Sequence, residues 1–285
     1  MDLKSMTFAD DITNDNEPVI LLHGLLGQKR NFASLGNSLM AQLKKKRQIF
    51  AVDLRNHGEN HDDWRDEMSY SHMAHDVLAF LDKHEIEKAI LCGHSMGGKV
   101  AKSLALSNPD RVAGLVVLDI APVTYTSEDA SWNAVEGIIQ SLRDVELPPG
   151  KTKRDVDFEL RTSVEDPALR AFVLTNLDSL PSKDKVITLR WKINVQAIAE
   201  ELHKIAGFDV GSVDLQEDSA SDLQYEGDTF LIKGGASSFV KNSHMPVIKK
   251  HFPNFLLTSI KGAGHWVHAE SPDQTVALLK QYLDR

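Results

Sequence analysis

The stretch that decides the fold is Lys88-Ala89-Ile90-Leu91-Cys92-Gly93-His94-Ser95-Met96-Gly97-Gly98, followed by Lys99-Val100-Ala101-Lys102-Ser103-Leu104-Ala105-Leu106. The opening run reads as a buried strand, and Lys99 to Leu106 has helical spacing. Between them a serine stands among glycines. So tight a turn forces a strained backbone at Ser95 and leaves no room for bulk at Gly93 and Gly97. The hydroxyl is then pushed out at the carboxyl edge of a sheet, where the helix N-terminus offers free N–H groups and the positive end of its dipole to a developing oxyanion. Two readings are open for the motif alone: a nucleophile, or a tight strand-to-helix turn that happens to carry a polar residue.

Working outward, the same alternation recurs on both sides. Leu3 to Phe8 reads as an edge strand and residues 10 to 17 as a polar turn. The next strand is Pro18 to Leu22, followed by the loop His23-Gly24-Leu25-Leu26-Gly27 and an amphipathic helix over Phe32 to Leu43. Gln48 to Asp53 is a further strand, Leu54-Arg55-Asn56-His57-Gly58 a polar turn, and Tyr70 to Lys83 a helix with one apolar face. Beyond the serine, Asn108-Pro109 stops the helical pattern and Val112 to Ile120 is a near-continuous apolar run containing Asp119. Strands that are apolar throughout and alternate with helices imply a mostly parallel sheet covered on both faces, an α/β fold.

From Tyr125 to about Tyr225 the pattern turns helical and charged, with candidate helices over Ser131 to Val145, Lys153 to Val164, Pro167 to Leu180 and Val195 to Ile205. Val186 to Ile193 reads as a short strand and residues 210 to 227 as an acidic, serine-rich return. The expected organisation is therefore a core over 1–124 and 227–285 with a helical lid over 125–226. The core resumes with a strand at Thr229 to Ile232, a helix at His244 to His251, a strand at Phe255 to Ile260 and a closing helix at Pro272 to Leu283.

Composition narrows the function classes. A formal charge of -9 argues against nucleic acid as a partner, because phosphate neutralisation needs a basic surface. No apolar run is long enough to span a bilayer. The single cysteine, Cys92, excludes an intrachain disulfide, and its place in a central strand reads as a buried, inert thiol. Met1 to Glu17 is acidic, with neither a secretory h-region nor an Arg-rich amphipathic face. It reads as the start of a cytoplasmic chain, or of a mitochondrial one from which a transit peptide has been removed. Oligomeric state is not legible.

His23-Gly24, Arg55-Asn56-His57-Gly58, Gly93-His94-Ser95-Met96-Gly97-Gly98 and Gly264-His265-Trp266, in this order, give the chain a pattern that resembles the α/β-hydrolase superfamily. More narrowly, Asp53 to Gly58, Leu118-Asp119-Ile120-Ala121-Pro122-Val123 and Gly262 to Glu270 resemble the YbfF-type esterases and their eukaryotic mitochondrial relatives, among which are yeast ethanol acetyltransferases. The resemblance implies an α/β-hydrolase fold with an inserted helical lid and an acyl-transfer chemistry that needs no cofactor.

A serine hydroxyl is a weak nucleophile and needs a base, which in turn needs a group to fix its tautomer. The superfamily's chain order of nucleophile, acid, histidine implies His265 as base. Many members carry the acid after the penultimate strand, but here that loop is Ile232 to Phe239 and contains no carboxylate. Asp119, one strand over, takes its place, as the narrower resemblance also implies; the bland alternative is a strand-end turn carboxylate. Ser237 matches a helper serine of that group, or is simply a residue of a Gly-rich turn. The oxyanion hole is expected from the backbone N–H groups of Met96 and Leu25, with Trp266 as a pocket wall and His94 as pocket wall or hydrogen-bonded scaffold. His23, His57 and His268 read as pocket wall or hydrogen-bonded scaffold, and no histidine spacing matches a metal site.

The implied substrates are short- to medium-chain acyl esters or acyl-CoA, attacked by Ser95 and released to water. Lys29-Arg30 and Arg190 with Lys192 are candidates for a CoA phosphate, against the reading of solvated surface charge. Three competing functions share the fold: an alcohol acyltransferase using acyl-CoA, a menaquinone-pathway-type lyase gripping a dicarboxylate with lid arginines, and a non-enzymatic receptor or scaffold.

Overall fold

The computed structural model describes residues 1–8, 16–180, 186–209 and 223–285. Most of the polar turn expected over 10 to 17 and of the acidic return over 210 to 227 lies outside the described residues. The first half of the chain gives β1 (Ser5–Thr7), β2 (Val19–Leu22), α1 (Ala33–Gln42), β3 (Ile49–Val52), α2 (Tyr70–Lys83), β4 (Ala89–His94), α3 (Met96–Ser107) and β5 (Val112–Leu118). It is followed by α4 (Ala130–Asp144), α5 (Lys153–Leu160), α6 (Pro167–Leu174), β6 (Leu177–Leu180), β7 (Thr188–Trp191), α7 (Val195–Glu200) and α8 (Leu202–Ala206). The last part adds β8 (Thr229–Gly234), α9 (Met245–His251), β9 (Phe255–Ile260), α10 (Val267–Glu270) and α11 (Pro272–Leu283).

Among the described residues, seven strands form one sheet in the order β1-β3-β2-β4-β5-β8-β9. Only β1 is antiparallel to its neighbour, pairing Ser5 with Val52 and Thr7 with Phe50. The side-chain period of two explains why the central strands are apolar throughout. Ile20 and Leu22 of β2 pack on the layer of Met73 and Val77 from α2 and Val100 and Leu104 from α3. Val19 and Leu21 point the other way, into the layer of Leu35 and Leu39 from α1 and Leu279 and Leu283 from α11. Cys92 faces that second layer, and burial raises its thiol pKa to about 12. Among the described residues no helix is long and apolar enough to cross a membrane.

The stretch between β5 and β8 departs from expectation in two places. Pro167 to Leu180 is not one helix: α6 ends at Leu174, and β6 pairs antiparallel with β7, Asp178 lying opposite Arg190. Asn176 gives the physical reason, since its amide is fully buried and donates to Leu26 O, an appointment that a continuing helix would break. Asp178 then finds its charge partner across the strand pair, with Arg190 Nη2 at 3.4 Å. Val195 to Ile205 likewise divides, into α7 and α8.

At the carboxyl end of β3, Asp53 organises the turn that follows. Its Oδ1 accepts the Lys29 N–H at 2.6 Å, and its Oδ2 accepts the Lys29 ammonium at 2.6 Å and the Glu59 N–H at 2.9 Å. Gly58, at φ 61, lies so close that a Cβ there would sit 2.2 Å from Asp53 Cγ. Lys29 is buried in this network and is also 2.8 Å from Glu59. It is neither a phosphate site nor a solvated charge, contrary to both sequence readings. Removing one partner of a buried pair costs about 3–5 kcal/mol, here because the Lys29 and Glu59 N–H groups lose their acceptor and the Lys29 ammonium keeps only the exposed Glu59. Asp53→Ala is therefore expected to lower the free energy of urea unfolding by that amount, and a loss under about 1 kcal/mol would show that water replaces the carboxylate.

Candidate active site

Ser95 caps α3 with φ 51 and ψ -120, a left-handed conformation that costs a residue with a Cβ of order 1–3 kcal/mol. The turn is so tight that backbone lies on backbone. A Cβ on Gly93 would be 2.2 Å from Gly97 O, and one on Gly97 would be 2.3 Å from Leu22 O. The Ser95 N–H is fixed on Leu118 O at 3.0 Å, which ties the elbow to the end of β5.

Asp119 follows β5 directly, also at positive φ, 54. Its carboxylate is fully buried and meets three donors. Oδ1 accepts the Gly234 N–H at 2.9 Å; Oδ2 accepts the Ser237 hydroxyl and His265 Nδ1–H, the latter at 2.8 Å. With Nδ1 carrying the proton, His265 Nε2 is left as an acceptor, and it lies 2.9 Å from Ser95 Oγ. The loops after β8 and β9 touch through their backbones, since a Cβ on Gly234 would be 1.9 Å from Gly264 O. Three strand ends thus deliver serine, carboxylate and imidazole to one point.

His265 is held by its backbone as well as its ring. Glu270 accepts the Gly264 N–H at 2.6 Å and the Trp266 N–H at 3.0 Å, one on each side of the histidine. His94 Nε2 donates to His265 O at 2.9 Å. Burial pushes the His94 pKa well below its ordinary value, so the ring is a neutral donor here. His94 thus fills both roles the sequence offers it, hydrogen-bonded scaffold and pocket wall, whereas Glu270 has no role readable from the sequence. The one available signal was the five-residue spacing from His265 to Glu270 across a short helix.

Tyr125 adds a further brace, its hydroxyl accepting the Ala121 N–H at 3.1 Å and donating to Phe239 O at 2.6 Å. The Phe239 ring lies 4.1 Å from that of His265. Among the described residues, neither the Leu25 nor the Met96 N–H is engaged with an acceptor. His23 and His57 are hydrogen-bonded scaffold: His23 accepts the Leu54 N–H at 3.0 Å and His57 the Leu26 N–H at 3.2 Å. His268 packs on His94 and Phe32 with ring centroids 4.6 and 5.2 Å away.

Ser95 and His265 open on a cavity of about 350 Å³, toward the small end of the roughly 300–1,000 Å³ of ligand sites. Its walls are apolar. Leu25, Met96 and Ile120 come from the core, while Trp132, Ile138 and Phe172 come from the helices between β5 and β8. Trp266 lines it as well, 6.2 Å from Phe172. Lys99 reaches the wall but is committed: its ammonium donates to Ala206 O at 2.8 Å and to Gly207 O, and lies 4.7 Å from the centre of the Tyr125 ring. Arg190 pairs with Asp178, Arg30 with Glu59, and Lys192 donates to Gln28 Oε1 at 3.2 Å. Among the described residues no group of three or more His, Cys, Asp or Glu side chains is arranged to hold a metal ion.

The chain is similar to known proteins over most of its length. The family model of the alpha/beta hydrolase fold matches residues 17–272. The sn-1-specific diacylglycerol lipase ABHD11 of Danio rerio is 34% identical over 277 residues, covering 96% of this chain and 80% of that protein. Esterase YbfF of Escherichia coli (strain K12) is 29% identical over 273 residues, covering 95% and 94%. A solved structure described as a marine microorganism esterase superimposes with a TM-score of 0.85 at 31% identity, covering 99% of each chain.

The buried histidines around the site set a pH dependence of stability. Burial, reinforced by neighbouring imidazoles, lowers the His57 pKa to about 3 and the His268 pKa to about 4, from 6.5. The unfolded chain takes up these protons first as pH falls, so stability is full above about pH 6.5 and declines toward pH 4 and below. Each histidine accounts for about 2 kcal/mol between pH 7 and pH 5. His268→Phe should remove one such contribution from the slope of urea-unfolding free energy against pH; an unchanged slope would exclude His268 as a titrating group.

Proposed function

The chain belongs to the alpha/beta hydrolase fold family, and from that premise we propose a serine esterase that acts on short- to medium-chain acyl esters or thioesters through an acyl-enzyme on Ser95. The observation that carries this reading is the hydrogen-bonded line from Ser95 Oγ through His265 to Asp119, set against an apolar cavity. The names of the relatives, a diacylglycerol lipase and an esterase, support a carboxylic ester as the bond cleaved.

In this mechanism Ser95 Oγ attacks the acyl carbonyl as His265 Nε2 takes its proton. Asp119 steadies the imidazolium that forms, and the Ser237 hydroxyl and Gly234 N–H keep the carboxylate aimed at Nδ1. The carbonyl oxygen becomes an oxyanion on the N–H groups of Leu25 and Met96, each such donor being worth about 10²–10³ in kcat. His265 then returns the proton to the leaving alcohol or thiol. Water repeats the sequence on the acyl-enzyme, with His265 as base, and releases the acid.

The helices between β5 and β8 act as the lid, residues 125–226, and their apolar side chains size the acyl group. The cavity volume favours short and medium chains over long ones. The commitments of Lys29, Arg30 and Arg190 to carboxylates favour simple esters over CoA thioesters as first substrates to test.

Ser95→Ala is expected to abolish hydrolysis of p-nitrophenyl acetate and butyrate and the acyl-enzyme burst, read by rapid-mixing absorbance and by intact mass. Retained turnover would remove Ser95 as nucleophile. Asp119→Asn should lower kcat roughly 10⁴-fold with the fold intact, and Ser237→Ala should lower it less. A kcat near wild type in Asp119→Asn would place the acid elsewhere. Adding ethanol to the assay distinguishes release to water from transfer to an alcohol by the ratio of acid to ethyl ester formed.

A further inference from the structure

The turn Gly24-Leu25-Leu26-Gly27 is closed by the Gly27 N–H on Gly24 O at 2.9 Å. Its third residue, Leu26, stands at φ 62. That position of a turn is normally filled by glycine, because a Cβ is strained in the left-handed region. Leucine there does not hold the conformation unaided, and here three side chains hold it.

His57 Nε2 accepts the Leu26 N–H at 3.2 Å, and Asn176 Nδ2 donates to Leu26 O at 2.8 Å. His23 Nδ1 donates to Gly24 O at 2.8 Å, and that carbonyl shares a peptide plane with the Leu25 N–H. Both imidazole tautomers are fixed from behind, His57 donating through Nδ1 to Arg55 O at 2.9 Å and His23 accepting from Leu54. The peptides before and after Leu26 are therefore pinned, and so is the direction of the Leu25 N–H.

Asn176 differs from the two histidines in its origin. It lies between α6 and β6, 150 residues from the turn. It is fully buried, its Nδ2 facing Leu26 O and Val173 O, and its Oδ1 has no partner among the described residues. An unpaired buried amide oxygen is unfavourable. The orientation that leaves it so is the one in which the amide donates to Leu26. Asn176's own carbonyl is held in turn by the Lys192 N–H at 2.7 Å.

We propose that Asn176 is a positioning residue for the oxyanion hole: the segment between β5 and β8 supplies the last restraint that keeps Leu26 left-handed and the Leu25 N–H aimed at the reacting carbonyl. This rests on the esterase reading above. It makes the hole depend on the docking of a segment whose other side chains line the acyl cavity.

A double-mutant cycle tests it with p-nitrophenyl acetate as substrate and a short-chain trifluoromethyl ketone as the tetrahedral mimic. Asn176→Ala should lower kcat by roughly 10- to 100-fold and weaken the ketone by the same factor, with KM changed less than about two-fold. In a Leu26→Gly background, where glycine takes the left-handed conformation freely, the same substitution should cost less than about three-fold. Where turnover is too slow, ketone affinity gives the same cycle. If Asn176→Ala does not unfold cooperatively on heating, His57→Phe replaces it in the cycle with the same expectation. Equal losses in both backgrounds, or a loss confined to KM, would overturn the proposal. Hydrolysis surviving in Ser95→Ala would instead overturn the esterase reading, whereas an inactive Ser95→Ala with an additive cycle would overturn the positioning role alone.

Discussion

The carboxylate of Asp119 is the point on which the site depends. It is fully buried at the end of β5, and its lone pairs are met from two other strand ends: Gly234, the last residue of β8, with Ser237 after it, and His265 after β9. A buried carboxylate is tolerable only when such donors surround it. The requirement that stabilises the charge therefore also fixes the imidazole tautomer. Loss of the Ser237 or Gly234 donor would leave a lone pair dry and loosen the aim of the carboxylate at Nδ1, so that stability and alignment are coupled.

Strain is concentrated where alignment is needed. Among the described residues, non-glycine positive φ occurs at Leu26, Asn56, Glu85, Ser95 and Asp119. Ser95 and Asp119 are two members of the hydrogen-bonded line, and Leu26 follows the candidate oxyanion donor. Each is over-determined by its neighbours rather than by its own preference. Ser95 is held by the Leu118 carbonyl, Asp119 by the Ile232 carbonyl at 2.9 Å, and Leu26 by the side chains of His57 and Asn176. Asn56, whose side chain bridges Arg65 N and O at 2.8 and 2.7 Å, anchors the loop on which His57 sits. Well-packed glycines do the complementary work, letting backbone approach backbone at Gly93, Gly97 and Gly234.

The segment between β5 and β8 meets the core through polar contacts as much as through apolar ones. Lys99 donates to the carbonyls that end α8, the Tyr70 hydroxyl donates to Ile205 O at 2.6 Å, and the Asn194 N–H reaches Asn56 O at 2.9 Å. Buried polar bonds of this kind are directional and discriminate between registers. Apolar contacts would let the helices slide, and the cavity walls at Trp132, Ile138 and Phe172 with them. The shape of an apolar cavity is thus set by hydrogen bonds behind its walls.

What the sequence made legible follows from how local each feature is. Ser95, Gly93 and Gly97 are read from one string, because a strand-to-helix elbow is built from adjacent residues. His265 is implied by family order and loop position, and Asp119 by the narrower resemblance together with the absence of any carboxylate between Ile232 and Phe239. The sheet and its two covering layers were legible because burial on both faces leaves continuous apolar runs. Features that depend on distant partners were not. Leu177 to Leu180 carries one local mark against helix, the proline that follows Leu180; the rest of the reason is distant, Asn176 being claimed by Leu26 and Asp178 by Arg190. Lys29 resembles any surface lysine until Asp53 and Glu59 close around it. Glu270 and His94 stand within the motif stretches that carry the resemblance, but they grip the backbone of His265, a target every residue possesses, so the motif does not show which group each one holds. An amide or carbonyl as target leaves no trace in the sequence, and for that reason the backbone bonds that brace the line from Ser95 to Asp119 are hidden in it while the residue types on that line are not.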